Sequence, residues 1–572
     1  MKHGRKRPLS GTVNSYLPMF PVGFLFRWQY NGGMPKRFLV AVSLALSGAI
    51  LEATAAAFVG QVVDAATGAP IPSRVYIQSE SGEWFFPESA ASSGSAVHYK
   101  KNRLQESVEM HTTLSAHPFK VDLDPGRYTV TVERGKEYKP LSRTIEVAGQ
   151  TVEMRLPLKR WVNMAERGWF SGDTHVHRSI EDLPNLMLAE DLNVTFPLTY
   201  WVTRAYEAPS QGNKNTEDRY GTDLIKVDET HVIYPRNTEY EIFTVGRQRH
   251  TLGAVFVLGH RKILDFGAPP VKRIAQARDS EGALLDLDKH NWPWSMAIMP
   301  LLKVDLFELS NNHLWRTQFA FTNWAEPAPA YMKLNYYGSG RDVEMAWTRF
   351  GFENYYALLN CGFRIKPTGG TASGVHPVPL GFGRVYVYPE GGFSYDRFYT
   401  GLKNGRSFVT TGPMLDVRAN GKPPGYESRR RNRLGPVRSV FSGSAIGANP
   451  LSSIEILFNG KVVETIRPAN TINSKGAFET RIDYTHAANQ SGWYVVRCWQ
   501  MEAEGRFRFA HTAPWHVAVP GKPLRPRREQ IDYLVQRVKD QIERSRGIVH
   551  ADAIAEYKEA LAYYEALAKE VR

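Results

Sequence analysis

The sequence predicts a multidomain protein of mixed class, α/β plus all-β, in which two β regions flank a central α/β region and helices close the chain. Its 572 residues suggest three or four domains at about 100–200 residues per domain. Residues 58–160 and 416–520 alternate apolar and polar side chains with the period of a strand. Residues 165–415 mix short apolar runs with helical stretches, and residues 526–572 have helical spacing.

The composition excludes several classes of protein. Hydrophobic residues make up 42% and charged residues 22%, a globular balance that excludes a mainly disordered chain. The net charge is +14, but Lys and Arg are scattered, so we expect no nucleic-acid partner. The two cysteines, Cys361 and Cys498, exclude a disulfide-rich scaffold; they either form one disulfide or remain buried thiols.

Residues 1–57 are predicted to be an N-terminal extension with a signal peptide. Lys36 and Arg37 precede the apolar run Phe38–Leu51, and small residues follow it. This run is shorter than the ~20 residues that a membrane span needs. We therefore predict translation from Met34 and export to the periplasm, the cell surface or the medium. The alternative is an uncleaved membrane anchor, and membrane association is expected only through this segment.

Residues 58–160 are predicted to form a small β-sandwich. The run FVGQVVD alternates and stops at TGAP, and the turn Asp124-Pro125-Gly126 precedes a second alternating run. The predicted inward-facing positions are Val75, Ile77, Tyr128, Val130 and Val132. The pattern GQVVDAATGAPIPSRV with LDPGRYTVTVERG resembles the carboxypeptidase-regulatory-like sandwich. That resemblance implies a positioning or adhesive role for this domain.

The regions after the central one are predicted to be a second β-sandwich-like domain and two helices. Within residues 416–520, Asn459-Gly460 joins two apolar runs, a strong signal for a hairpin with a type I′ turn. Residues 526–572 contain two apolar stripes at i, i+3, i+4 spacing. We expect the stripes to pack on the body of the protein.

The most informative motif is GDTHVH, residues 172–177. On a strand, His175 and His177 point to the same side and can offer two imidazoles to one metal ion. Asp173 shares their parity and can orient a histidine as an outer partner. The alternative interpretation is two polar histidines at a strand end.

The central region resembles the PHP-type metallohydrolases, and specifically their CehA/McbA, carbaryl-hydrolase-like branch. GDTHVH resembles the opening motif of that family. The later motifs follow in the family's order: NTE at 237–239, HTLG at 250–253, KHNWP at 289–293, VDLFELSN at 304–311, and NCGFR with GGTASG at 360–374. The resemblance covers about residues 165–415. It implies a distorted β/α barrel whose strand ends bind divalent ions.

The resemblance also implies a set of metal ligands. Imidazole and carboxylate donors favour Zn, Mn or Fe. Glu241 competes with Glu239, because both have the same parity on a strand, and His260 is either a further ligand or a structural histidine. The expected ligands are His175, His177, Glu239, His250 and His290.

Two motifs depart from the family pattern. The usual TDH reads Thr199-Tyr200-Trp201, and the closing GSDxH reads GTASG, with Ala372 and Gly374 in place of Asp and His. His376, two residues further on, is a candidate replacement. These departures predict fewer metal ions than the full family set and leave open whether catalysis survives.

A bound divalent ion would lower the pKa of its water from ~15.7 to ~7 and supply hydroxide at neutral pH. Asp182, with Glu181 as its competitor, and His376 are the candidate catalytic groups that would move the proton. Trp292 and Arg384 are the candidate substrate-binding residues. Their alternatives are a core aromatic residue and a structural ion pair.

The sequence therefore predicts an exported metal-dependent hydrolase acting on an ester, carbamate, amide or phosphoester, in a small or polymeric substrate. It contains no Gly-x-Ser-x-Gly elbow, Walker loop or dinucleotide fingerprint. The alternative function is a catalytically degenerate PHP-like extracellular protein that binds a ligand such as a carbohydrate.

Overall fold

The computed structural model describes residues 55–104, 107–211, 216–217, 219–288, 291–310, 328–335, 340–429, 435–502 and 505–571. The predicted signal peptide with its start at Met34 lies outside the described residues, and so does His290. No helix in the described part of the chain is both long and apolar enough to cross a membrane.

The N-terminal region consists of strands that form two facing sheets. The strand order is β4-β7-β1-β11-β9 in one sheet and β10-β8-β2-β6-β5 in the other, with β3 paired to β2. The strands are β1 (Ala56–Asp64), β2 (Ser73–Ser79), β3 (Trp84–Phe85), β4 (Glu88–Ser89), β5 (Ala96–Leu104), β6 (Ser107–Leu114), β7 (Phe119–Leu123), β8 (Gly126–Glu133), β9 (Tyr138–Lys139), β10 (Leu141–Val147) and β11 (Val152–Arg160).

Alternation builds the core of this sandwich. All five positions predicted to face inward are buried. They meet apolar side chains of the opposite sheet, such as Phe58 on β1 and Phe119 on β7, in one hydrophobic cluster. The polar residues between them, such as Thr129 and Thr131, face the other side, as the period of a strand requires.

The central region alternates strands and helices. Its strands are β12 (Phe170–Val176), β13 (Val194–Pro197), β14 (Tyr200–Arg204), β15 (Ser210–Gln211), β16 (Ile225–Lys226), β17 (Val232–Ile233), β18 (Thr238–Val245), β19 (Gln248–Leu258), β20 (Leu284–Asp288), β21 (Leu306–Ser310), β22 (Lys366–Gly369), β23 (Arg384–Val387) and β24 (Ser407–Thr410). Its helices are α1 (Leu183–Glu190), α2 (Lys272–Glu281), α3 (Pro293–Leu302), α4 (Gly340–Asn360) and α5 (Tyr395–Lys403).

Hydrogen bonding divides these strands between two sheets. One sheet runs β16-β17-β13-β12-β23-β24, and the other runs β15-β14-β18-β19-β20-β21-β22. Strand β12 is parallel to β13 and antiparallel to β23, whereas β20, β21 and β22 are parallel to one another. The GDTHVH motif lies on the first sheet. The motif-bearing strands β18, β20 and β21 belong to the second.

The following β region continues the first of these sheets. Its strands are β25 (Met414–Ala419), β26 (Glu427–Arg429), β27 (Val437–Gly447), β28 (Leu451–Phe458), β29 (Lys461–Ile466), β30 (Thr471–Ile472), β31 (Phe478–Ala488), β32 (Gly492–Met501), β33 (Phe507–Thr512) and β34 (Trp515–Ala518). Strand β24 pairs with β33, so a single sheet runs on through β32 and β28 to β29. Asn459 and Gly460 have φ of 51° and 79° between β28 and β29, which confirms the type I′ hairpin.

Two C-terminal helices, α6 (Arg528–Ser545) and α7 (Ala551–Lys569), pack on the second sheet through α3. The Tyr564 phenol donates to the Met296 carbonyl at 3.0 Å. Glu556 accepts the amides of Val271 and Lys272 at 2.6 and 3.1 Å, and so caps the start of α2. The helices therefore belong to the core of the protein, as their apolar stripes predict.

Cys361 and Cys498 are free buried thiols. Burial raises the pKa of each to about 12. Of the two states that the sequence leaves open, the structure therefore has the unpaired one.

Candidate metal centre

The two histidines of GDTHVH lie at the end of β12. The pairing of β12 with β13 shifts register between Asp173 and Val176, so the strand is irregular where the histidines project. The Nε2 atoms of His175 and His177 are 3.1 Å apart. Two imidazole nitrogens at this separation point to one place, as the i, i+2 spacing predicts.

Glu239 on β18 adds a carboxylate to this pair. Its Oε2 lies 3.5 Å from His177 Nε2. Its antiparallel neighbour on β19 is Phe256, whose ring packs 4.5 Å from the His175 ring. Ligand atoms of His175, His177 and Glu239 all lie within 4.8 Å of one another. Of the two glutamates that the sequence cannot separate, Glu239 is thus the one in the group, whereas Glu241 accepts the indole N–H of Trp201 at 3.1 Å.

A second group shares His175 and adds two carboxylates from the neighbouring parallel strands. Asp288 ends β20 and Glu308 lies in β21, and both have ligand atoms within 4.8 Å of His175 and of each other. Glu308 Oε2 and Oε1 lie 3.0 and 3.3 Å from His175 Nδ1. A carboxylate on Nδ1 fixes the tautomer that presents the Nε2 lone pair toward His177.

The donor set of the two groups suits a divalent transition ion. All five side chains are buried, with exposures of 2% for His175, 0% for His177, Glu239 and Glu308, and 4% for Asp288. Imidazole and carboxylate are the ligands that Zn, Mn and Fe take. Carboxylates buried this deeply are costly unless cations or donors compensate them, and a divalent ion supplies that compensation.

Asp286, two residues before Asp288, is a further carboxyl group beside the three of the ligand groups. Burial raises its pKa to about 7, although the Thr368 hydroxyl donates to it at 2.8 and 2.9 Å. The pKa value shows how strongly this end of β20 disfavours negative charge.

Asp173 fixes the closing segment, which we define as residues 369–376, rather than an imidazole. Its carboxylate accepts the His175 amide at 3.0 Å, the Thr371 hydroxyl at 2.6 Å and the Gly381 amide at 2.9 Å. Burial raises its pKa, and these hydrogen bonds oppose the shift. The expected outer partner of His175 is therefore replaced by Glu308.

The closing segment has no room for the missing family histidine. Gly374 has φ of 107°, and a Cβ atom there would lie 2.1 Å from the His177 carbonyl oxygen. A Cβ on Gly370 would lie 2.3 Å from His175 Cβ and 2.8 Å from Glu308 Oε1. This segment therefore packs too closely on His177 to admit a side chain at Gly374.

His250 lies elsewhere, against the C-terminal helices. Its Nε2 is 3.2 Å from the Ser545 hydroxyl, and burial together with Arg544 lowers its pKa to about 4. It belongs to neither ligand group. His260 has both ring nitrogens hydrogen-bonded, to the Thr238 hydroxyl and to the Lys262 carbonyl at 2.8 Å each, which favours its structural interpretation.

The candidate catalytic residues Asp182 and His376 lie outside both groups. Asp182 is half-buried and precedes α1, and its amide lies 3.3 Å from the Ser179 hydroxyl. His376 is half-buried, and Arg103 contacts its ring.

The candidate substrate residues have structural contacts. Trp292 is half-buried at the start of α3, with the Arg544 guanidinium 5.6 Å from its ring centroid. Arg384 is fully buried and donates to the carbonyls of Gly381, Asp191 and Glu190 at 2.6, 3.2 and 3.1 Å. It lines a cavity of about 440 Å³ whose described lining includes no member of the ligand groups.

Two members of the ligand groups, Asp288 and Glu308, were not expected as ligands. Asp286 and Asp288 stand two residues apart in the run LLDLD, directly before KHNWP. This is the same i, i+2 spacing of ligand-type side chains on a strand that GDTHVH has. Glu308 lies within the run VDLFELSN that the family resemblance singles out. Both signals were present, but sequence alone does not show that β20 and β21 are adjacent.

No family model matches this chain, and no curated protein matches it. Among solved structures, it is similar to a two-domain protein from Bacteroides vulgatus described as containing a predicted PHP-like metal-dependent phosphoesterase. The identity is 10%, the match covers 57% of this chain and 90% of that one, and the TM-score is 0.26. At that TM-score the similarity establishes no common fold, so the function must be argued from the site itself.

Proposed function

We propose that the protein is a metal-dependent hydrolase. The observation that carries this proposal is the convergence of five buried side chains in two ligand groups that share His175: His175, His177 and Glu239 in one, and His175, Asp288 and Glu308 in the other. These side chains come from four strands of two sheets, β12, β18, β20 and β21. Such convergence of separate segments is typical of a built metal site.

His175, His177 and Glu239 would hold one ion. Asp288 and Glu308 would either hold a second ion together with His175 or orient the His175 ring. When bound, the ion would supply a water of lowered pKa and polarise a scissile C=O or P=O bond. Glu308 lies beside Nδ1 of His175 and so favours the tautomer that carries its proton on Nδ1 and leaves the Nε2 lone pair for the ion. Phe256 and the walls of both sheets keep bulk water from the imidazoles.

We propose further that the protein is a PHP-type enzyme of the CehA/McbA kind and that it is exported. The ordered motifs of residues 165–415 support the first statement. The basic pair Lys36-Arg37 before an apolar run supports the second. An ester, carbamate, amide or phosphoester remains the proposed substrate, and nucleic acid is not an expected partner.

A catalytically degenerate binding protein is the second candidate function. Ala372 and Gly374 favour it, because they remove two donors from the closing segment. Such a protein would bind metal without turnover.

The test is the metal content of the purified protein, followed by turnover of 4-nitrophenyl esters and phosphate after loading with Zn or Mn. We expect bound metal and turnover that His175→Ala abolishes. Metal without turnover of any of these substrates would favour the degenerate protein. Absence of metal binding at micromolar free zinc would overturn both.

A further inference from the structure

Strand β5 of the N-terminal sandwich contacts the segment that packs on the candidate metal centre. Tyr99, Lys101 and Arg103 have one parity, and Lys100 has the other. The phenol of Tyr99 contacts the closing segment, whereas Lys100 Nζ lies over the Phe86 ring, 4.1 Å from its centroid. The two faces of β5 therefore meet different surroundings.

Tyr99 fixes the position of β5 at the site. Its phenol oxygen accepts the Gly374 amide at 2.8 Å and its hydroxyl donates to the His376 carbonyl. Gly374 in turn lies against the backbone of His177, since its Cβ position is 2.1 Å from the His177 oxygen. Only one residue of the closing segment therefore separates the Tyr99 phenol from the metal-binding histidine.

Three cations gather around this contact. Arg178 follows His177 directly, is 6% exposed, and places its guanidinium 4.3 Å from the Tyr99 ring centroid. Arg103 contacts the ring of His376. Lys101 lies on β5 between Tyr99 and Arg103, is half-buried, and is near enough to Arg178 for the two charges to interact. We call Lys101, Arg103 and Arg178 the cation wall.

The electrostatics of the cation wall favour an anion beside it. Burial lowers the pKa of Lys101, and the charge of Arg178 lowers it further. Burial likewise lowers the pKa of Arg103, with Glu241 as the opposing charge. Neither Lys101 nor Arg178 forms an ion pair with a carboxylate within the described ranges. Like charges held together and partly desolvated are stabilised by an anionic ligand.

We infer that the N-terminal sandwich contributes to substrate specificity: Lys101 and Arg103 of β5 complete, with Arg178 of the central region, a cation wall that binds the negatively charged group of a phosphate ester presented to the metal centre. This inference rests on the proposed function and narrows its substrate class. Arg guanidinium groups bind phosphate oxygens in pairs, and Lys adds a point charge. A neutral ester or carbamate offers the wall no such partner.

The first experiment measures the affinity of inorganic phosphate by calorimetry, with and without bound zinc, for the full chain and two variants. Lys101→Gln removes a cation of the wall. Lys100→Gln removes the same charge from the opposite face of the same strand and is the matched control. We expect Lys101→Gln to weaken phosphate binding about tenfold, since one hydrogen bond to a charged group contributes on this scale. Lys100→Gln should change it less than about twofold.

The second experiment compares turnover of 4-nitrophenyl phosphate and 4-nitrophenyl acetate by the zinc-loaded variants. Lys101→Gln should raise KM for the phosphate about tenfold and leave KM for the neutral acetate unchanged. Equal effects on both substrates, or equal effects of the Lys100 and Lys101 variants, would overturn the inference. So would an absence of phosphate binding at millimolar concentration.

Failure of the proposed function gives a different result. If the protein binds no metal, turnover is lost, but the phosphate affinities measured without zinc still separate Lys101→Gln from Lys100→Gln. If metal binds and only the neutral ester is turned over, the hydrolase proposal stands and the cation wall is rejected.

Discussion

Four of the buried histidines show two contrasting kinds of surroundings, although the sequence presents them alike. His175 and His177 lie next to carboxylates and have their Nε2 atoms 3.1 Å apart. His260 and His511 instead bond neutral groups at both ring nitrogens, a hydroxyl at one and a carbonyl at the other.

The difference lies in what the surroundings offer to a proton or a cation. A hydroxyl donor and a carbonyl acceptor satisfy a neutral imidazole completely, so such a histidine has nothing left to bind. Carboxylates beside convergent imidazoles instead favour positive charge at the same place. A carboxylate partner alone does not make a candidate ligand, since buried His111 lies 2.7 Å from Glu109 and buried His231 lies 2.8 Å from Asp228. The convergence of two imidazoles with carboxylates distinguishes the candidate metal ligands from the structural histidines.

Substituting a histidine of the ligand groups and a buried histidine outside them, His250, gives the test with the largest expected effect. His177→Asn should weaken zinc binding at least about 100-fold, because a first ligand is lost and an amide is a poorer donor. His250→Asn, at the Ser545 contact, should leave zinc affinity within about twofold and cost about 1 kcal/mol of stability. Competition with a chromophoric chelator measures both affinities. Equal losses would show that His250 reaches the ion in solution.

The outer carboxylate provides a smaller test. Glu308→Gln keeps the size of the side chain but weakens its hold on the Nδ1 proton of His175, so zinc affinity should fall about 10–100-fold. Glu241→Gln, on β18 beside the site, is the control and should have less than a threefold effect. A loss no greater than that of the control would show that Glu308 neither orients His175 nor binds the ion.

Local sequence was sufficient wherever a feature depends on a single element. The alternation of Val75, Ile77, Val130 and Val132 predicts one face of the N-terminal sandwich, and Asn459-Gly460 predicts the hairpin between β28 and β29, because strand period and turn geometry are local. The same parity rule places His175 and His177 side by side.

Features that depend on which strands become neighbours could not be predicted from local sequence. Asp288 and Glu308 join His175 only because β20 and β21 lie side by side in a sheet that faces β12. Glu239 and Glu241 have the same parity on β18, so only the distance to His177 shows that Glu239 is the one in the ligand group. The contact between Tyr99 and Gly374 joins positions 275 residues apart, which no periodicity reports. Only the structure shows these contacts between segments that are distant in the sequence.

The pH dependence of stability provides a test of the structural histidines. Burial, aided by Arg497, lowers the pKa of His511 to about 3, while its ring lies between the Tyr356 hydroxyl and the Thr512 carbonyl. The unfolded chain, with a histidine pKa of about 6.5, then binds the extra proton first as the pH falls. This contribution to stability is complete above about pH 6.5 and is lost at about 1.4 kcal/mol per pH unit toward pH 3.

His511→Gln should therefore reduce the slope of the free energy of unfolding against pH by about 1.4 kcal/mol per pH unit between about pH 4.5 and 6. Chemical denaturation of metal-free protein at several pH values measures the slope, and the slope stays readable even if the substitution lowers stability throughout. An unchanged slope would mean that His511 accepts a proton in the folded protein. In that case neutral partners alone would not keep a buried imidazole uncharged, and the distinction drawn from His175 and His177 would rest on the convergence of their Nε2 atoms alone.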